Sequence, residues 1–87
     1  MIQMQQKKPN VVIYSTPTRP HCIDAKEYLK KHKVEFRDID VSQDREALDE
    51  MVQKSGQMGV PVIIIDDETV IVGFDREKLK KALELED

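Results

Sequence analysis

Val11-Val12-Ile13-Tyr14-Ser15-Thr16-Pro17-Thr18-Arg19-Pro20-His21-Cys22 is the stretch on which the fold of this chain turns. Its first five residues form a short, largely apolar, β-branched run, as a buried strand requires. Pro17 and Pro20 then break the run into a loop. Pro20 suits the first turn of a helix, where its missing N–H costs nothing. From there Cys22, Ala25, Leu29 and His32 recur at helical spacing. Asp24 and Glu27 are expected early in that helix and Lys30, Lys31 and Lys33 late, complementing the dipole at both ends. The basic group at residues 30–33 reads as a solvated helix terminus, with an anion-binding patch as the competing reading.

Working outward, residues 34–41 alternate apolar and polar, the mark of a strand with one buried face. Ser42 is a candidate N-cap for a helix whose apolar stripe is Ala47, Leu48, Met51 and Val52, ending near Ser55 and Gly56. Val60-Pro61-Val62-Ile63-Ile64-Ile65 is almost wholly apolar, which suits a central strand covered on both faces. The turn at Asp66 and Asp67 leads to Thr69-Val70-Ile71-Val72 as a hairpin partner, closed by Gly73. Asp75 is placed to cap a last helix that buries Leu79, Ala82 and Leu83. The order is β-α-β-α-β-β-α. Alternation in the first half implies parallel strands joined by right-handed crossovers. The short connection at residues 66–68 implies an antiparallel pair in the second half. The expected fold is α/β, a four-stranded mixed sheet flanked by helices, over residues 10–87 after a polar extension at residues 1–9.

Composition bounds the function. A chain of 87 residues suits one domain, and its net charge of −3 gives no basic footprint for nucleic acid. No apolar run approaches the roughly 20 residues needed to span a membrane. Residues 1–10 lack the apolar core of a signal peptide, so a cytoplasmic, reducing setting is the expectation. The chain has one cysteine, Cys22, which excludes an intramolecular disulfide. Zinc sites normally take three or four protein ligands. Cys22, His21 and His32 are the only sulfur and imidazole candidates, and the first two are adjacent, so no metal is expected.

Several motifs at consistent mutual spacing carry a family resemblance. Residues 12–18, then Pro20-His21-Cys22, then Ala25-Lys26-Glu27-Tyr28-Leu29 resemble the active-site stretch of glutaredoxins. The likeness continues through Phe36-Arg37-Asp38-Ile39-Asp40-Val41, Ser55-Gly56-Gln57-Met58-Gly59-Val60-Pro61-Val62 and Val72-Gly73-Phe74-Asp75, covering about residues 11–84. The resemblance is to small bacterial glutaredoxin-like proteins. It implies a thioredoxin fold and thiol–disulfide exchange in cell redox homeostasis. The implied partners are protein disulfides and, as reductant, glutathione or a thioredoxin-reductase-type protein. Glutathione would act as a co-substrate, with no tightly bound cofactor. It further implies a Val60–Pro61 pair whose proline is cis and whose backbone pairs with an extended substrate. Gly73 and Asp75 would meet a glutathione carboxylate, with simple helix capping as the bland role of Asp75. Thr16 stands where many glutathione users carry a basic residue.

The family's redox motif is Cys-Pro-x-Cys, and the corresponding residues here are Arg19-Pro20-His21-Cys22. Arg19 stands at the position of the nucleophile, and Cys22 is the retained resolving-type thiol. A guanidinium has no nucleophilic form near neutral pH, so dithiol activity is expected to be lost or strongly reduced. Three readings of Cys22 stand: an inert buried side chain, a one-thiol residue that forms a mixed disulfide with glutathione, or a residue used for a partner or a metal. Arg19 reads either as a natural replacement that makes the helix start an anion pocket or as a change introduced into a working enzyme. His21 reads as a solvent-facing loop residue or as part of the substrate-binding surface with Pro20. The alternative function is a redox-inactive binding module that uses the Val60–Pro61 groove for glutathione or a peptide.

Overall fold

Seven elements run in the order β-α-β-α-β-β-α through the computed structural model, which describes residues 9–85. They are β1 (Val11–Ser15), α1 (Pro20–Lys31), β2 (Arg37–Asp40), α2 (Arg45–Ser55), β3 (Val62–Ile65), β4 (Thr69–Val72) and α3 (Arg76–Leu83). The strands form one sheet in the order β2-β1-β3-β4, with β1 parallel to β2 and antiparallel to β3, and β3 antiparallel to β4. The expected fold is therefore present. Apart from Pro9, the polar extension expected at residues 1–9 lies outside the described residues.

Each face of the sheet has its own core. On one face Val11, Ile13, Ile63, Ile65 and Ile71 pack with Ala25, Tyr28 and Leu29 of α1 and Leu79 of α3. On the other, Tyr14, Val62 and Ile64 pack with Ala47 and Met51 of α2. This division explains why all four residues of β3 are buried, and why its sequence runs apolar without alternation. The register aligns Ile13 with Ile63 and Ile63 with Ile71, so three isoleucines form one row under α1 and α3.

Several local expectations are corrected. α1 begins at Pro20, which leaves Asp24 and Glu27 beyond its first turn; that turn holds no acidic residue, while Lys30 and Lys31 do occupy the last. The cap of α2 is Asp44, whose carboxylate accepts from Ala47 N at 3.1 Å. Ser42 is instead held by Asp40, whose Oδ1 accepts from Ser42 N at 2.9 Å and Ser42 Oγ at 2.6 Å, a turn outside the helix. Only Arg37–Asp40 of the alternating run pairs as a strand. Val34 N donates to Leu29 O at 2.9 Å, and Val34 and Phe36 pack on the α1 core, so tertiary burial rather than pairing produced their spacing. β3 starts at Val62, after Pro61, which has no N–H to give a ladder. In α3 Leu79 is buried and Leu83 half-buried, but Ala82 is exposed because the apolar stripe is narrow.

Tyr14 makes stability depend on alkaline pH. Its side chain is buried and its hydroxyl donates to Glu50 Oε1 at 3.1 Å. Burial first, and the Glu50 carboxylate second, raise its pKa above the ordinary 10. The folded state thus favours the neutral phenol. Its contribution is fully present below the unfolded pKa of about 10 and is lost as pH rises through the folded value. In urea titrations across alkaline pH, the stability advantage of the chain over Tyr14→Phe should hold level up to about pH 10 and then shrink. A difference that stays flat well above that pH would contradict the assignment.

Candidate functional site

The register decides which loops meet. Tyr14 pairs with Val62, Val62 with Val72, and Ser15 with Asp40. The end of β1, the end of β2, the start of β3 and the end of β4 therefore share one edge of the sheet. From that edge leave the loop at residues 16–19 with the start of α1, the approach to β3 through Val60 and Pro61, and residues 73–75 with the start of α3. The fold thus gathers Arg19, Pro20, His21, Cys22, Val60, Pro61, Gly73 and Asp75 at one end of the molecule.

At the start of α1, Arg19 occupies the N-cap with an extended backbone (φ −86°, ψ 128°) and no side-chain cap. A guanidinium has no acceptor with which to cap. Its carbonyl accepts from Cys22 N and Ile23 N, both at 3.1 Å. Arg19, Pro20 and His21 are exposed. Cys22, one turn in, is 0% exposed, on the inward side of the helix with Ala25 and Leu29. A helix start favours a thiolate, but a thiol without access to solvent meets a substrate sulfur only through a local opening of the fold.

Opposite, the Val60–Pro61 peptide is cis and Pro61 is buried. Gly73 N donates to Pro61 O at 2.8 Å, which carries the β3–β4 pairing one step past the strands. Gly73 has a φ of 84°, a left-handed conformation that glycine adopts without a Cβ penalty. Asp75 is the N-cap of α3 and accepts from Lys78 N at 3.2 Å. The backbone N–H and C=O of Val60 have no hydrogen-bond partner among the described residues.

Three features escaped the sequence reading. Ser15 Oγ, buried at the end of β1, donates to Asp38 Oδ1 at 2.8 Å, and Lys26 Nζ meets Asp38 Oδ2 at 2.9 Å. This links β1, β2 and α1 just below the site, and residues so far apart in the chain leave no spacing signal. Thr16 Oγ1, next to Ser15, is buried without a partner among the described residues. Gln57 forms a side-chain contact with Gly59 just before Val60; its position inside the Ser55–Val62 motif was the one available hint.

Comparison with known proteins follows the same outline. The Glutaredoxin family model matches residues 11–70, a span that ends before Gly73 and Asp75. The chain is 46% identical over 74 residues to an uncharacterized glutaredoxin-like 8.6 kDa protein in a rubredoxin operon of Clostridium pasteurianum, covering 85% of this chain and 97% of that protein. It is 40% identical over 67 residues to a glutaredoxin of Pseudomonas aeruginosa, covering 77% and 79%. The crystal structure of a glutaredoxin from Archaeoglobus fulgidus superposes with a TM-score of 0.78 at 29% identity, covering 88% and 87%.

Proposed function

The chain belongs to the glutaredoxin family, and on that premise we propose that it is a glutaredoxin-like redox protein whose dithiol cycle is lost. One observation carries the reading. The only thiol of the chain, Cys22, is fully buried, while the exposed start of α1 carries the guanidinium of Arg19.

The chemistry follows from what exchange requires. A thiolate attacks one sulfur of a disulfide, a mixed disulfide forms as one thiolate leaves, and a second thiol then attacks to release the other. Arg19 supplies no sulfur for the first step. Cys22 is the residue that would perform the second, and with a single thiol the two steps cannot close within one chain. Pro20 and His21 on one side and Val60, Pro61, Gly73 and Asp75 on the other would then form a binding groove rather than a turnover site. The partners are glutathione or an extended peptide, with glutathione as co-substrate where any exchange persists. A thioredoxin-reductase-type protein is the other candidate reductant.

The second reading, a binding module without redox chemistry, is favoured by the peptide groups of Val60, which have no partner among the described residues. It is also favoured by a cationic side chain at a helix N-terminus, a combination suited to a carboxylate. Assays of small-disulfide reduction coupled to glutathione, NADPH and glutathione reductase test the loss of turnover. The chain and its Cys22→Ser variant should give the same background rate. Clear turnover by the chain that vanishes in Cys22→Ser would overturn the proposal.

A further inference from the structure

The segment leading into Val60 is held by two side chains, those of Ser55 and Gln57. α2 ends at Ser55, and Gly56 follows in the left-handed region with φ 77°. Ser55 Oγ lies 2.7 Å from Met51 O and 3.0 Å from Gln57 O, and accepts from Gln57 N at 3.3 Å. The chain thus turns back on the helix end and aims the Gln57 side chain along its own next residues. The carboxamide then makes two bonds to a single residue. Its Nε2 donates to Gly59 O at 2.9 Å, and its Oε1 accepts from Gly59 N at 2.7 Å. A primary amide has one donor face and one acceptor face, so it can satisfy both backbone groups of a residue as a neighbouring strand would.

This clamp has room because residue 59 is glycine. Gly59 does not have a positive φ, so conformational freedom is not what the glycine supplies. A Cβ at position 59 would lie 2.8 Å from Gln57 Oε1 and 3.7 Å from its Cδ, so the space is taken by the clamping amide. Immediately beyond, Val60 is held on its other side by Pro61, whose carbonyl accepts from Gly73 N at 2.8 Å. Val60 is the residue between two fixed points, and its own N–H and C=O are left without partners among the described residues.

We propose that Gln57 is a positioning residue: its two-point clamp on Gly59 presets the Val60 backbone against which an extended thiol peptide such as glutathione pairs. The inference rests on the groove reading of the preceding section and adds the residue that sets the groove's affinity. The physical link is preorganisation. An unclamped Gly59 is free to rotate, and its ordering would be charged to binding, on the scale of roughly one backbone residue fixed, or about tenfold in affinity.

Nuclear magnetic resonance of the full chain reads both consequences, with reduced glutathione as the probe. In Gln57→Ala the backbone order parameters at Gly59 and Val60 should fall from rigid values near about 0.85 toward about 0.6. Glutathione affinity should drop roughly tenfold, while the unfolding midpoint stays within about 3 °C of the parent. Gly59→Ala, which displaces the amide, should reproduce both effects, and the double variant should lose no more than either alone because the two changes break one contact. Unchanged order parameters in Gln57→Ala, or lower ones with affinity intact, overturn the positioning role. A parent chain that does not bind glutathione at all sinks the groove reading itself, a different failure from a parent and a Gln57→Ala variant that bind equally well.

Discussion

Arg19→Cys is expected to raise disulfide-exchange activity by about two orders of magnitude or more over the unsubstituted chain. Two effects on the new thiol nearly cancel. A helix N-terminus lowers a thiol pKa by up to a few units and so enriches the thiolate, but nucleophilicity falls by about half a logarithmic unit for each unit of pKa. The gain must therefore come from access and from pairing. Cys22 is 0% exposed and can react only through a local opening of the fold. An opening that costs about 3 kcal/mol already imposes a factor of roughly 100. Position 19 is exposed and needs no such opening.

Pairing is also within reach. The turn closed by Cys22 N to Arg19 O at 3.1 Å keeps the two Cα atoms below about 7 Å, inside the limit for a disulfide. The introduced thiolate would attack a substrate sulfur and release one substrate thiolate. Cys22 would then give up its proton, attack the sulfur at position 19 and release the other. Two glutathione molecules would reduce the resulting bridge and leave as glutathione disulfide. Adding Cys22→Ser to Arg19→Cys should stop that second step and leave only turnover resolved by glutathione. Equal rates for the chain and Arg19→Cys, measured with the same disulfide, would show that position 19 is not where this fold begins its exchange.

What could be read from the sequence was whatever a local pattern encodes. The run Val62–Ile65 announces a doubly covered strand because burial on both faces removes alternation. Pro20 announces a helix start because its ring fits only the first turn. Two of the corrections come from neighbours that a local pattern does not show. Ser42 and Asp44 are both good caps, and Asp40 decided between them by taking the Ser42 hydroxyl. The alternation at residues 34–41 reported burial correctly and pairing only in part, since Val34 is tied to the end of α1.

The site divides in the same way. Its residue types and their gathering at one end follow from motif and topology. Cys22 could be read as inert, reactive or partner-binding, and its burial, which no local pattern announces, favours the first. The link of Ser15, Lys26 and Asp38 joins three elements and is invisible until they are packed.

Ile63→Ala is expected to cost about 3–5 kcal/mol, a loss at the upper end for truncating one aliphatic side chain. Ile63 is 0% exposed and sits in the middle of the row formed with Ile13 and Ile71, under α1 and α3. Its truncation to alanine forfeits the transfer of the lost carbons from water and leaves a hole that no loop can close, because a strand lies hydrogen-bonded on each side. Domains of this size draw on a total of roughly 5–15 kcal/mol, with small cores toward the lower end. The variant should therefore sit near its unfolding transition at room temperature.

Two companions separate packing from strand propensity. Ile63→Val keeps the β-branched shape and should cost only about 1 kcal/mol. Val70→Ala, on the edge strand at 37% exposure, should cost about 1 kcal/mol or less, since more than a third of its surface stays in water on folding. Urea unfolding gives all three from the shift in midpoint at constant slope. An Ile63→Ala loss no larger than that of Val70→Ala would mean that β3 is not the shared wall of the two cores. Without that wall, β3 would not carry Val60 and Pro61 to the edge shared with the start of α1.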